Sequence, residues 1–304
     1  MPPQHANSWI SKIEAEDTYD RLLDRLNKTE RHLETSGVRV SGSSCFGYYK
    51  RALQRLQGIA AGNQTPAISS DKQLIHDAIL ECELFVASIE EIARLPEVSG
   101  WRQIAAKALG GRVSSRLEKK DTPARDAQFE LFLASRARQA GLMVKFEEPD
   151  IVLEMPDGKP LSIAVKRVKS ASQLERRFRE GAKQIKKSHL QGIVAVQLAF
   201  FEAASPTPSS LPTAMEILRE ETRRFALTNI GELRRQIDTT WTFGLLFFTS
   251  RLAHSGSGSW LNVAFSFYST NICSEVDSRC SLLEAFSRNL EQSSERWLLT
   301  DRLA

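Results

Sequence analysis

Two carboxylates and a lysine stand at spacings that could gather them around one phosphate. They are Glu130 in a helical stretch, Asp150 directly after Pro149, and Lys166 in Ile163-Ala164-Val165-Lys166-Arg167. Cleaving a phosphodiester requires charge on the phosphate to be stabilised and a water to be made nucleophilic. A divalent cation held by oxygen ligands, Mg2+ or Mn2+, does both. Carboxylates supply those ligands, and an adjoining ammonium can orient the water or offset the charge that builds up. A tight turn between the stretches holding Asp150 and Ala164 would lay the start of one beside the end of the other, so Asp150 would fall next to residues 164 to 166. Side chains alternate along a strand, so Ala164 and Lys166 share a face. Taken singly, each residue has an ordinary reading: a solvated helical Glu, a Pro-Asp turn and a rim lysine.

The elements that must hold these residues follow from pattern. Residues 122–140 read as a helix with Pro123 in its first turn, ended by Gly141. Residues 142–147, 150–155 and 161–168 read as short strands, with turn residues over 155–160. A helix follows, with Ser172 and Glu175 at capping-box spacing and Leu174, Phe178 and Ile185 on one side. The run 192–200 is continuously apolar, as suits a parallel strand buried on both faces. A Ser/Pro-rich loop over 203–212, a helix over 213–237, strands over 242–250 and 260–269, and a helix over 281–299 complete the expected order. Trp241 and Trp260 read as core residues beside those strands. Before residue 120 the pattern is helical, with Trp9, Ile13, Leu22, Leu23 and Leu26 in one segment, then helices over 48–59, 71–95 and 99–117.

This order of features, a helical Glu, then Pro149-Asp150, then a strand ending in xxK, then a basic helix carrying Gln184, resembles the PD-(D/E)XK nuclease superfamily. The resemblance covers residues 124–200 well and the later strands loosely. It implies an α/β fold, with an all-helical N-terminal region (1–120) followed by a restriction-endonuclease-like mixed sheet flanked by helices (121–304). It implies Glu130 and Asp150 as ligands of Mg2+ or Mn2+, Lys166 as the catalytic lysine and Gln184 as an accessory residue. The second motif acid would stand two residues before the lysine, and Ala164 occupies that place. Losing this carboxylate should weaken metal binding and activity. Two origins are open: an introduced substitution that inactivates a nuclease, or a natural relative that binds nucleic acid or a protein without cutting. The resemblance also suggests DNA as the substrate and defence against foreign DNA as a setting.

The chain of 304 residues carries a net charge of +4, which alone indicates no partner. The charge is unevenly spread. Residues 166–187 hold nine basic and two acidic side chains, +7, leaving −3 for the remainder. Arg167, Lys169, Arg176, Arg177, Lys183, Lys186 and Lys187 are therefore the candidate nucleic-acid contacts. The helical first region is a candidate surface for a second copy or a protein partner. The opening residues have no apolar leader and no window is apolar enough for a membrane span, so a cytoplasmic protein without a membrane role is expected. Cys45, Cys82, Cys273 and Cys280 lack CxxC pairing, and the five histidines lack ligand spacing, which argues against zinc or a disulfide framework. Phosphate-binding GxxxxGK[ST] and GxGxxG loops are also lacking.

Overall fold

The computed structural model describes residues 8–60, 69–94, 98–111, 123–199, 211–254, 260–272, 279, 281–288 and 290. Its elements run β1 (Ser8–Thr18), α1 (Tyr19–Thr35), α2 (Cys45–Ala60), α3 (Ser69–Ala93), α4 (Trp101–Ala108), α5 (Pro123–Gln139), β2 (Met143–Lys145), β3 (Ile151–Glu154), β4 (Pro160–Val168), α6 (Leu174–Ser188), β5 (Gly192–Leu198), α7 (Leu211–Arg235), β6 (Thr242–His254) and β7 (Trp260–Asn271). Residues 281–288 are helical.

The strands form one mixed sheet of seven, in the order β1-β7-β6-β5-β4-β3-β2. β4, β5 and β6 are parallel, joined by crossovers that contain α6 and α7, while β2 and β3 at one side and β7 and β1 at the other are antiparallel. All seven residues of β5 are buried, which is why its sequence shows no polar alternation. Side chains of the central strands divide by parity between two apolar layers. Ile163, Val165, Ile193, Ala195, Leu246 and Phe248 face the layer that includes α3 and α5. Ala164, Val168, Val194, Val196, Leu245 and Phe247 face α6 and α7.

α5 is the hub of the first layer. Twelve of its 17 residues are buried, so it has no solvent face along most of its length, and a polar residue on it must find partners inside. Arg125, fully buried, donates to Glu81 (2.9 Å), the Tyr49 hydroxyl (3.1 Å) and Gln128 (2.8 Å), which fastens α5 to α2 and α3. Arg25 likewise joins α1 to α3 through Glu83 and Glu90, both at 2.7 Å. Apolar residues on both sides of residue 120, from Leu22 to Leu290, belong to this one layer.

Two expectations need correction. Residues 8–18, read as the start of a helix, form the edge strand β1, paired with β7 from Ser8↔Ser269 to Thr18↔Trp260, so the region before residue 120 is not all helical. The four-residue spacing of Trp9 and Ile13 fits one face of a helix and equally one face of a strand, and the open edge of β7 decides between them. The capping box at Ser172 does not form. Residues Ala171–Gln173 make a 3-10 turn and α6 starts after Gln173, with no side-chain cap. Cys45 and Cys82 are buried free thiols, whereas Cys273, Cys280, the 203–210 loop and the end of the last helix lie outside the described residues. Among the described residues, no helix is long and apolar enough to cross a membrane.

Candidate metal and phosphate site

β3 pairs with only the first part of β4, from Glu154↔Pro160 to Ile151↔Ile163, so from Ala164 onward the edge of β4 that faces away from β5 has no strand beside it. The N–H groups of Val165 and Arg167 would be left without partners there, and a buried N–H must be satisfied. Carboxylates do this. Asp150 Oδ2 accepts from Val165 N at 2.7 Å, and Asp126 Oδ1 accepts from Arg167 N at 2.9 Å. The ladder register extended by one residue sets Asp150 opposite Ala164. The tight turn thus brings Asp150 to residues 164–166, as its spacing suggests.

Lys166 Nζ lies 3.3 Å from Asp150 Oδ2 and donates to the Val165 carbonyl at 2.7 Å, with 7% of its side chain exposed. Glu130 enters from α5, one helical turn after Asp126, with its side chain 2% exposed. Its contact among the described residues is Lys107 of α4, whose Nζ is 3.5 Å from Oε1. Burial pushes the Glu130 carboxyl up to about 7, reinforced by the charge of Asp150 and opposed by Lys107. Burial also raises Asp150 above the usual carboxylate range, opposed by Lys166 and the Val165 N–H. Glu130 and Asp150 are therefore electrostatic neighbours inside the protein, the charge of Asp150 favouring protonation of Glu130. Gln184 of α6 reaches the same corner, with Nε2 3.4 Å from the Pro149 carbonyl and Oε1 buried without a hydrogen-bond partner among the described residues.

Ala164 is fully buried on the α6 side of β4. Its methyl would sit 3.4 Å from a Cβ placed on Gly181, and that same Cβ would lie 2.9 Å from Val194 Cγ1. Gly181 thus lets α6 approach the sheet closely here, and Ala164 is part of the fit. Among the described residues no group of three or more His, Cys, Asp or Glu side chains is arranged to hold a metal ion. What is present is a pair of carboxylates, a lysine and an amide oxygen lacking a donor. Mg2+ often takes one or two protein carboxylates and completes its shell with waters and phosphate oxygens, so this donor set fits Mg2+ or Mn2+ and not a closed protein cage.

The basic stretch divides into two groups. Arg167 is buried on the α5 side, 4.0 Å from Glu81, and Arg177 is held by Asp126 (2.7 Å) and Glu180 (2.8 Å), so neither belongs to an exposed phosphate-facing surface. This corrects their grouping with the surface cations. The cause is local: buried Glu81 and half-buried Asp126 are acids that need countercharge. Lys169 is half-buried, its backbone N–H bonded to Gln173. Arg176, Lys183, Lys186 and Lys187 are exposed along α6, with Arg176 paired to Glu180 and Lys186 to Asp238.

Asp126 and Lys107 complete the cluster without having been singled out in the sequence. The signal for Asp126 is its placement four residues before Glu130 on one helix face. Lys107 has no such signal, because it arrives through tertiary packing of α4 on α5. Comparison of the chain with family models, with curated proteins and with solved structures returned no match.

Proposed function

We propose that this corner of the sheet is a divalent-cation site of the PD-(D/E)XK kind, built to act on a phosphodiester, DNA foremost. The observation that carries the reading is the convergence of buried Glu130 and Lys166 with half-buried Asp150 at the unpaired edge of β4. Bound there, Mg2+ or Mn2+ would lower the pKa of a water and offset charge on the phosphate. The chain's own parts are these: Glu130 and Asp150 offer oxygen ligands, Lys166 stands beside Asp150 to orient a nucleophile, and Gln184 Oε1 can accept a hydrogen bond from water. With Ala164 in the acid's place one ligand is missing, so the chain with this residue would be an impaired hydrolase, whether Ala164 is introduced or natural.

A second reading is favoured by one observation. Ala164 is packed against α6 at Gly181, as though the small residue belongs to the fold. On that reading the protein holds nucleic acid through the exposed lysines of α6 without cutting it.

The metal site is tested by thermal unfolding at pH 8 with and without millimolar Mn2+. The expected result is a melting temperature raised by a few degrees in the wild-type chain and unchanged in Asp150→Asn. Equal shifts in the two proteins, or none in either, contradict the site.

A further inference from the structure

We propose that Lys107 stands in the place on Glu130 that the divalent cation takes, so that metal can bind only when the Lys107 ammonium leaves. This rests on the metal-site reading above and adds to it the region before residue 120. Glu130 is 2% exposed and meets Lys107, at 3.5 Å, as its contact among the described residues. Lys107 itself is 42% exposed, so it covers the solvent side of the carboxylate. A cation reaching Glu130 from water comes to the position the ammonium holds.

The backbone of Lys107 is fixed while its side chain is free to swing. Ala105 and Ala108, on either side of it in α4, are fully buried. The Ala108 carbonyl accepts from Gln128 Nε2 at 3.3 Å and from Cys45 Sγ at 3.5 Å, which pins the end of α4 to α5 and α2. The four-carbon stem can rotate outward without moving the helix. At the other carboxylate, Lys166 plays the corresponding part at 3.3 Å from Asp150. Two ammonium groups thus face two carboxylates. The other acid of the cluster, Asp126, is held by Arg177, so a further acid at residue 164 would be an uncompensated negative charge calling for a metal, and Ala164 withholds it. An incoming dication meets a nearby positive charge and must displace it, which weakens its binding.

Calorimetric titration of the full chain with MnCl2 tests this in the wild type, Lys107→Met, Lys107→Arg and Asp150→Asn. Lys107→Met should bind Mn2+ more tightly, on the order of tenfold. Lys107→Arg should stay near the wild-type affinity and Asp150→Asn should bind none. If Lys107→Met binds as the wild type does, or more weakly, while Asp150→Asn still loses binding, the metal site stands and the displacement is wrong. If neither the wild type nor Lys107→Met binds Mn2+, both fail. Circular dichroism verifies that Lys107→Met, a change at a partly exposed position, keeps its fold.

Discussion

Glu130 is costly to keep ionised where it lies. Its carboxyl titrates near 7 in the folded protein against an ordinary value of 4.5, because burial and Asp150 disfavour the charge. Between those values the unfolded chain has released a proton that the folded chain retains. Stability therefore falls as pH rises through the window from about 4.5 to about 7 and levels off above it. Glu130→Gln keeps the shape and removes the titration. Urea melts should show the variant close to wild type at pH 4.5 and more stable by on the order of 1–2 kcal/mol at pH 8 without metal. A difference that does not change with pH would mean that Glu130 is ionised throughout. At this scale the sequence showed part of the geometry: Asp150 lies beside residues 164–166, because spacing in a tight meander fixes which residues sit side by side, whereas Glu130 and Gln184 arrive on α5 and α6 through tertiary packing. What could not be read was the fate of each charge. Arg167 follows Lys166 directly, yet it points to the opposite face, toward Glu81, since neighbours in a strand alternate.

At the scale of elements, α6 is two-sided. Leu174, Phe178, Gly181 and Ile185 are buried, while Arg176, Arg179, Lys183, Lys186 and Lys187 are exposed. Lys183 and Lys187, four residues apart on the helix, are the cleanest candidates for phosphate contact. Replacing both by Ala should weaken nucleic-acid binding at 50 mM salt and flatten the dependence of log K on log salt by roughly 1–2 in slope, with little change in stability. Arg177→Ala should act differently, lowering stability by about 1–3 kcal/mol because half-buried Asp126 loses its cationic partner and keeps only the Arg167 N–H. A binding constant indifferent to the two lysines would remove α6 from the interface. Helices and strands from 123 to 254 were legible because period and turn residues agreed there. β1 was not, since a strand at a sheet edge is specified by the partner whose backbone it completes, and Trp9 to Ile13 carries no information about β7.

At the scale of the molecule, the stretch before residue 120 does more than precede the sheet. β1 closes its far edge, α1 to α3 pack in the same layer as α5, and α4 delivers Lys107 to Glu130. A division at residue 120, natural from the change of sequence pattern, cuts through that layer. Local periodicity reports which side of a helix is apolar but not what it packs against, so the joint was invisible until α5 was seen to be buried around most of its length. The whole arrangement serves one edge of β4, where the sheet stops pairing and acids take over its N–H groups. Restoring the absent acid tests that account most directly. Ala164→Glu, with the shorter Ala164→Asp beside it because the position is fully buried against Gly181, is incubated with single-stranded DNA, duplex DNA and RNA in Mg2+ or Mn2+. The account predicts strand cleavage by a folded restored variant, abolished by EDTA and by Lys166→Ala. A folded variant that cuts none of the three, or cleavage that persists without Lys166, would contradict it.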